Sequence, residues 1–454
     1  MLFTMLAGLA LITLSFASNS TQADAPKTAH TSLAAWLDQR FQSKEEEKAA
    51  TQKLIAELQQ AKLSISDVEK LLLLGRSSYP AATKKGELQA RLKLPSDYVD
   101  YETEYFLYVP KSYDPKKQTP IIIIGHGGNG AMDANYARRA SQGGIRPWVP
   151  VAEKFGFILA APLTERGWMY IGDAIVMSLI SKVQREFNID PNRVYLTGHS
   201  MGGHLSWRSG IFMPDRWAAI SPMSGGYDYV ANGQIYNLWN VPGYATFGKN
   251  EPYQINTFNR LMRDWMKERG YEWTIVEKPG GHEIFGDELP KVAQFFLDHP
   301  RDMYRKVVYA RRDDGLAHVS ADGNPKWGRE HKWIDGRVID RSTIHWLKLF
   351  PLPAGTSKEK SVQTVRGEVL PGNHIKIDAE HAKKVRVYLH PKMVDFAQPV
   401  KVTLNGTVVH EAKVEPSWEC MLEQVKRFDD PGRIYYAMLE FEVTSDVKPV
   451  EPRK

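Results

Sequence analysis

The chain has 454 residues, of which 43% are hydrophobic and 11% aromatic, and this excludes a largely disordered or low-complexity protein. Its net charge of +6 is small for this length, and without a dense basic run it gives no support for binding to nucleic acid. The length predicts two or three domains, and the single cysteine, Cys420, excludes an intrachain disulfide.

The first segment is a run of mostly apolar residues from 2 to 16, followed by small and polar residues. A transmembrane helix needs about 20 apolar residues, and this run is shorter. It fits the hydrophobic region of a secretory signal peptide, although no Lys or Arg precedes it. We interpret residues 1–25 as a signal peptide, with an uncleaved anchor as the alternative. We predict a secreted or periplasmic protein without stable membrane insertion after cleavage.

Residues 27–85 are predicted to form a helical N-terminal segment. Between Ser32 and Phe41, apolar residues recur at spacings of three and four, which is the period of a helix with one buried face. The segment Ser66–Glu69 (SDVE) fits a capping box, and Gly75 ends the helix that follows. We interpret this part as an accessory cap or a prodomain-like element without chemistry of its own.

From residue 86 to residue 300 the pattern changes to alternating strands and helices. The run Ile121–Ile124 is β-branched at every position, which is typical of a strand buried on both faces of a parallel sheet. Further strand-like segments alternate with helical stretches up to a closing helix at residues 289–297. This alternation predicts an α/β domain with a doubly wound, mostly parallel sheet.

The remaining chain is predicted to be an irregular connection and linker over residues 301–360 and a small β-rich module over residues 361–454. The linker is rich in Pro, Gly, Ser and charged residues. Within the module, Asn405-Gly406 is a strong signal for a hairpin turn. Together with Thr407 it also matches a glycosylation acceptor, and we favour the turn.

The strongest chemical signal is Gly198-His199-Ser200-Met201-Gly202, which matches the pattern G-x-S-x-G. A predicted strand precedes it and a predicted helix follows, so the serine is expected on a tight turn at the carboxyl end of the sheet. The flanking glycines leave room for neighbouring backbone, and a helix N-terminus favours developing negative charge. Ser200 is therefore the candidate nucleophile of a serine hydrolase.

A second glycine-rich segment, residues 125–128 (GHGG), follows the isoleucine strand. A serine hydrolase needs two N–H donors for its oxyanion, and glycine lets the backbone approach a substrate closely. We predict that the N–H groups of Gly128 and Met201 are these donors. His126 is expected to hold the loop and not to act as a base.

A serine hydroxyl is a weak nucleophile and needs a general base. His282 follows the last predicted strand of the sheet, which would put it at the same edge as Ser200, and it is the candidate base. His199 and His204 fit this role less well, because one lies within the turn and the other begins the helix interior.

The acid that would orient this histidine comes between the serine and the histidine along the chain. Glu251 follows a predicted strand in the segment GKNEP, although aspartate is commoner at this place, and Asp228 is the rival. The histidines show no metal-binding spacing, and no phosphate-binding loop follows a strand. We therefore predict neither a metal nor a cofactor.

With these motifs, residues 100–300 resemble the α/β-hydrolase superfamily. The resemblance is strongest to the secreted esterase group that contains feruloyl and acetylxylan esterases, polyhydroxybutyrate depolymerases and "predicted peptidases" of the phospholipase/carboxylesterase type. It rests on the segments YVPKSYDPKKQTPIIIIGHGG, IDPNRVYLTGHSMGG and GGH. It implies Ser200 as nucleophile, His282 as base, and Gly128 with Met201 as oxyanion donors. Trp168 resembles a position that often lines the family's pocket, with core packing as the alternative.

The resemblance implies an α/β-hydrolase fold, to which the helical N-terminal segment and the small β-rich C-terminal module are added. The function expected is that of a secreted serine hydrolase that cleaves carboxylic esters, either small or polymer-linked, through an acyl-enzyme. The alternatives are a serine peptidase of the prolyl-oligopeptidase type and a catalytically inactive polymer-binding protein. The sequence leaves the identity of the ester and the oligomeric state open.

Overall fold

The computed structural model describes residues 20–41, 43–76, 78–80, 84–128, 132–165, 167–169, 171–226, 234–313, 339–353, 356–357 and 360–451, with side chains from Lys27 onward. Most of the predicted signal peptide therefore lies outside the described residues. A helix, α1 (Ser20–Asp38), begins within the predicted cleavage region. In the described ranges, no helix is both long and apolar enough to cross a membrane.

Two more helices follow in the N-terminal segment, α2 (Lys44–Gln60) and α3 (Ile65–Leu74). The capping box of α3 is formed by Ser64 and Asp67, two residues earlier than the predicted Ser66 and Glu69. Glu69 instead accepts a hydrogen bond of 2.6 Å from the hydroxyl of Tyr436, so its carboxylate serves a long-range contact that a local pattern does not reveal.

A sheet of eight strands forms the centre of the molecule. Its strands are β1 (Leu88–Pro95), β2 (Glu102–Tyr108), β3 (Thr119–Gly125), β4 (Ile158–Pro162), β5 (Ile189–His199), β6 (Ile220–Met223), β7 (Gly243–Gly248) and β8 (Trp273–Lys278). They lie in the order β1-β2-β4-β3-β5-β6-β7-β8. The pairs that involve β1 and β2 are antiparallel and the others are parallel, which confirms the predicted mostly parallel sheet.

Helices cover both faces of this sheet. They are α4 (Ala134–Ile145), α5 (Val149–Phe155), α6 (Ile171–Glu186), α7 (Met201–Phe212), α8 (Tyr253–Arg269) and α9 (Leu289–Asp298), with 3₁₀ turns at Arg146–Trp148, Pro214–Arg216 and Gln234–Asn240. Successive side chains of a strand point to opposite faces. Accordingly, Ile121 and Ile123 of β3 pack in one apolar cluster and Ile122 and Ile124 in the other. This double burial explains the uninterrupted isoleucine run.

The C-terminal part contains two further sheets and a helix. Its elements are β9 (Val307–Asp313), β10 (Thr343–Ile344), β11 (Leu347–Leu349), β12 (Val362–Leu370), β13 (His374–Glu380), β14 (Lys384–Leu389), β15 (Val400–Leu404), β16 (Thr407–Ala412), α10 (Trp418–Phe428) and β17 (Ala437–Glu442). β9 to β11 lie in the segment predicted to be irregular, and β9 pairs with β12 along its whole length. The segment is therefore part of the β structure, because its strands find their partners far along the chain.

The Asn405-Gly406 pair forms the predicted hairpin turn between β15 and β16, with φ of 51° and 82°. The side-chain amide of Asn405 accepts a hydrogen bond of 2.7 Å from the N–H of Ala379 and donates one of 3.0 Å to its carbonyl oxygen. This amide is engaged in hydrogen bonds within the fold, which favours the turn over a glycosylation site.

The N-terminal helices pack against the C-terminal helix α10 and not over the carboxyl edge of the sheet. Leu33, Leu58 and Leu72 share one buried apolar cluster with Leu422 and Val425 of α10. The side chain of Gln118, just before β3 begins, donates to the carbonyl oxygen of Leu73. These helices therefore lie near the amino ends of the parallel strands, which does not fit the interpretation as a cap over the catalytic edge.

Buried ion pairs also join the C-terminal part to the α/β part. Arg301 binds the carboxylate of Asp430 with two hydrogen bonds of 2.5 and 2.9 Å, and Arg216 adds a third of 3.1 Å. Arg433 donates to Asp215 at 2.5 Å, and both side chains are almost completely buried. Buried charges of the α/β part are thus paired with charges of the C-terminal part.

Candidate active site

Ser200 stands at the turn between β5 and α7, with φ of 57° and ψ of −115°. A positive φ in a residue other than glycine costs of order 1–3 kcal/mol and persists only where the surroundings impose it. Here the Ser200 N–H donates to the carbonyl oxygen of Met223 at 2.9 Å, and the Ser200 carbonyl accepts from the N–H of His204 at 2.9 Å. These bonds hold the side chain at the carboxyl edge of the sheet.

The glycines of the two motifs pack directly on each other. A Cβ at Gly202 would collide with the carbonyl oxygen of Gly125, and a Cβ at Gly198 would lie 2.5 Å from the same oxygen. Only glycine fits at either position, since neither the turn nor the end of β3 can move without breaking the sheet. The spacing of the G-x-S-x-G pattern therefore has a steric cause.

The loop after β3 lies against the serine. A Cβ placed on Gly127 would be 3.4 Å from the Cβ of Ser200, and one on Gly128 would be 3.4 Å from the methyl group of Met201. Gly128 has a φ of 153°, and a Cβ at this position would also collide with the thioether of Met132. The two residues predicted to supply the oxyanion donors are thus neighbours beside Ser200.

His126 lies within this loop, and its side chain is completely buried. Its Nε2 accepts a hydrogen bond of 3.1 Å from the N–H of Thr164, so the ring proton is on Nδ1 and is donated to the carbonyl oxygen of Gly127 at 2.8 Å. Burial lowers the pKa of His126 to about 4. A neutral ring with both nitrogens engaged agrees with the expectation that His126 holds the loop.

Trp168 is buried beneath the same loop. Its indole N–H donates to the carbonyl oxygen of His126 at 2.9 Å, and the two rings are 4.8 Å apart between their centroids. The described contacts of Trp168 are thus with the loop and with the apolar core. Its contact with a substrate stays a prediction.

His282 lies between the serine and a carboxylate. Its Nε2 is 2.7 Å from the Oγ of Ser200, and its Nδ1 is 2.6 Å from an oxygen of Glu251. The carboxylate of Glu251 is fully buried, and its other oxygen accepts from the N–H of Gly248 at 3.4 Å. The three residues predicted from sequence are therefore joined by hydrogen bonds, whereas Asp228 lies outside the described residues.

The loops that carry the acid and the histidine are packed together. A Cβ at Gly248 would collide with the carbonyl oxygen of Gly281, and the N–H of Asn250 donates to the carbonyl oxygen of Gly280 at 2.8 Å. These contacts connect the end of β7 with the segment after β8. They fix the distance between Glu251 and His282 through the backbone.

A protein-family model matches part of the chain that contains this site. The family model "Esterase" matches residues 96–257, which begin directly after β1 and include Ser200 and Glu251 but not His282. The strand order and the serine on its turn are those of the α/β-hydrolase fold. The α/β part of this chain has that fold.

Curated relatives of this chain include two fungal esterases. The chain is 30% identical over 168 residues to "Bifunctional acetylxylan esterase/xylanase XynS20E" of Neocallimastix patriciarum, a match that covers 35% of this chain and 23% of the relative. It is 30% identical over 129 residues to "Probable feruloyl esterase C" of Aspergillus terreus, covering 27% of this chain and 46% of the relative. The chain thus spans less than half the length of either protein.

Among solved structures, a thermostable esterase is similar at 22% identity, with a TM-score of 0.40 over 47% of this chain and 63% of the other. The N-terminal helices and the β-rich C-terminal part lie outside the "Esterase" match of the α/β-hydrolase.

The place of His199 beside the three residues is not evident from the sequence. Its ring packs against that of His282, with 4.7 Å between the centroids, and its Nε2 has no hydrogen-bond partner in the described part of the chain. Burial, followed by the neighbouring His282, lowers the pKa of His199 to about 4. The only signal in the sequence is its position directly before Ser200.

The neutral state of His126 makes the stability of the folded protein depend on pH. The pKa of His126 is about 4 in the folded protein, against about 6.5 in an unfolded chain, so only the unfolded state takes up this proton between those values. The contribution of neutral His126 to the free energy of unfolding is fully present above pH 6.5. It decreases by about 1.4 kcal/mol per pH unit down to pH 4.

The measurement is denaturant unfolding at pH 7 and pH 5 of the wild type and of His126→Gln. Between these pH values the free energy of unfolding of the wild type should decrease by about 2 kcal/mol more than that of the variant. Equal losses would show that His126 is not protected from protonation by burial.

Proposed function

We propose that this α/β-hydrolase is a secreted serine hydrolase that cleaves carboxylic esters through an acyl-enzyme. The observation that carries the proposal is the continuous chain of hydrogen bonds from the hydroxyl of Ser200 through His282 to Glu251, with distances of 2.7 and 2.6 Å. A nucleophile, a base and an orienting acid within hydrogen-bond reach are what acyl transfer requires.

The geometry supports the following division of roles. The Nδ1–H of His282 donates to Glu251, which leaves the lone pair of Nε2 free to take the proton of Ser200. The Oγ then attacks the ester carbonyl carbon, and the carbonyl oxygen becomes an oxyanion that accepts from the N–H groups of Gly128 and Met201. His282 gives its proton to the leaving alcohol, and water releases the acyl group from Ser200 with the same base.

Ester cleavage is preferred to peptide cleavage because the family match and both fungal relatives are esterases. The contacts of the N-terminal helices with α10 give no support to a helical cover over the cleft of a prolyl-oligopeptidase-type peptidase. The apolar run at residues 2–16 supports secretion. By analogy with the relatives, acetyl and feruloyl esters are the first substrates to test.

The test is a panel of p-nitrophenyl acetate, p-nitrophenyl butyrate, methyl ferulate and a peptide p-nitroanilide, together with labelling by a fluorophosphonate. We expect turnover of at least one ester, little cleavage of the anilide, and one label on Ser200. Cleavage of the anilide in preference to all esters would favour the peptidase. Absence of both turnover and label would favour the inactive binding protein.

Glu251→Gln is expected to lower kcat about 10⁴-fold, because the amide neither holds His282 in the tautomer that leaves Nε2 free nor stabilises the imidazolium that forms. The matched control is Glu283→Gln, next to the histidine. The carboxylate of Glu283 accepts from the N–H of Gly281 at 3.3 Å, a bond that an amide oxygen can keep, so its kcat should stay within a few-fold of wild type. Equal losses in the two variants would argue against Glu251 as the acid.

A further inference from the structure

A cluster of three buried charges connects the C-terminal part to two helices of the active site. Arg208 of α7 donates to one oxygen of Asp173 in α6 at 2.6 Å. Arg341, from the segment before β10, donates to the other oxygen. The side chains of Asp173, Arg208 and Arg341 are 0%, 9% and 4% exposed, so the cluster is shielded from solvent.

The ionised state of this cluster follows from its charges. Burial alone would raise the pKa of Asp173, but the guanidinium groups of Arg208 and Arg341 outweigh it and lower that pKa. Asp173 is therefore a carboxylate with one arginine on each oxygen. Such a pair of charge-assisted bonds fixes direction as well as distance.

Each of the two helices is connected to one of the two predicted oxyanion donors, α7 directly and α6 through Trp168. α7 begins at Met201, so the position of this helix sets that of the Met201 N–H. Asp173 follows Gly172, at which a Cβ would lie only 3.2 Å from the Cβ of Trp168. Trp168 in turn donates to the carbonyl oxygen of His126, whose segment continues to Gly128.

We propose that Arg341 is a positioning residue for the oxyanion hole. By holding Asp173 against Arg208, it ties the helix that carries the Met201 donor to the segment that supports the Gly128 donor. The β-rich C-terminal part would thus contribute to turnover without touching the substrate. This inference rests on the proposed ester hydrolysis by Ser200.

The expected effect follows from the precision that an oxyanion hole needs. Without Arg341, Asp173 keeps Arg208, but the second oxygen loses the partner that fixes the carboxylate relative to the C-terminal part. A displacement of about 1 Å at a catalytic group can cost about 10²-fold in rate. We expect Arg341→Met to lower kcat per active site about 10- to 100-fold, with a smaller change in KM.

The experiment compares Arg341→Met with Arg433→Met in the full-length protein. Arg433 is a similarly buried arginine that pairs with Asp215 between the same two parts of the chain, but Asp215 lies beyond the C-terminal end of α7 and is not part of the Asp173 cluster. The number of active sites is titrated with a fluorophosphonate, and kcat is expressed per titrated site. A boronic acid that mimics the tetrahedral intermediate is used to measure the Kd of the oxyanion hole.

For Arg341→Met we expect a lower kcat per site and a boronate Kd weakened by a similar factor. For Arg433→Met we expect fewer active sites and a lower Tm, with kcat per site unchanged. Wild-type kcat per site in Arg341→Met, or equal losses in both variants, would overturn the inference. If Arg341→Met yields no folded protein, the variant to use is Arg341→Lys, which keeps the positive charge but loses the planar guanidinium. A wild-type kcat per site in Arg341→Lys would also overturn the inference.

The outcome for the proposed function is separate. An inactive and unlabelled wild-type protein would refute ester hydrolysis, whereas an active wild type with an unaffected Arg341→Met variant would refute only the positioning role.

Discussion

Replacing Ser200 by alanine is expected to lower ester turnover at least about 10³-fold. The variant keeps the turn, the loop of Gly128 and the pair of His282 with Glu251, but it has no oxygen to attack the carbonyl carbon. Binding of substrate should change little, since KM reflects contacts that remain. The measurement is kcat with the best ester of the panel, and the control is an unchanged far-UV circular dichroism spectrum. Comparable turnover in both proteins would remove the proposed mechanism.

The same position allows a stability test that is independent of any substrate. Ser200 has a φ of 57° and a ψ of −115°, a sparsely populated backbone conformation that costs an L-residue of order 1–3 kcal/mol and that glycine adopts with less strain. Ser200→Gly should therefore be as inactive as Ser200→Ala, yet more stable than it by about 1 kcal/mol in denaturant unfolding. Equal stability of the two variants would mean that the turn is not strained.

Removal of residues 361–454 is expected to abolish the soluble folded protein. The cut removes α10, against which the N-terminal helices bury apolar side chains that are at most 4% exposed: Leu33, Trp36, Leu58, Val68 and Leu72. At about 2 kcal/mol each, full exposure of these side chains would cost at most about 10 kcal/mol, and less where the three helices still cover one another. A whole domain is stable by only about 5–15 kcal/mol, so even part of this loss is a large fraction of the total.

The cut also takes away β12, the partner of β9, and the carboxylate of Asp430 that binds Arg301. The measurement is the soluble yield and the fluorophosphonate-reactive fraction of the truncated chain. The control is the full chain with a protease site inserted near Pro353, cleaved after folding. Its two pieces should stay associated and active, because contacts and not the covalent link hold them together. A truncated chain with wild-type kcat per site would contradict this prediction.

The sheet, and the placement of Ser200, His282 and Glu251 at one edge of it, were predictable because they follow from local sequence patterns. A run of buried isoleucines has one interpretation in an alternating α/β pattern, and glycines two residues from a serine leave room that only a tight turn needs. Parallel strands end at a common edge, so residues that follow β5, β7 and β8 are expected near one another. None of these inferences needs knowledge of contacts between distant parts of the chain.

The remaining features depend on contacts between distant parts of the chain, which local patterns do not encode. The helix α3 has an apolar face, but nothing in its sequence indicates that α10 covers it. Arg341 and Asp173 are ordinary charged residues until the fold buries them together. The strand β9 was missed because its partner β12 follows only after a long connection.

The contact between α10 and the N-terminal segment has a consequence for biosynthesis. The ammonium group of Lys426 donates to the backbone carbonyl oxygens of Trp36 and Gln39 at 2.7 and 2.6 Å, across nearly the whole chain. Contacts between residues so far apart in sequence form slowly. The N-terminal helices reach their final positions only after the ribosome has synthesised α10, so the nascent polypeptide stays incompletely folded throughout translation. A chain in that condition can still be threaded through a membrane translocation channel.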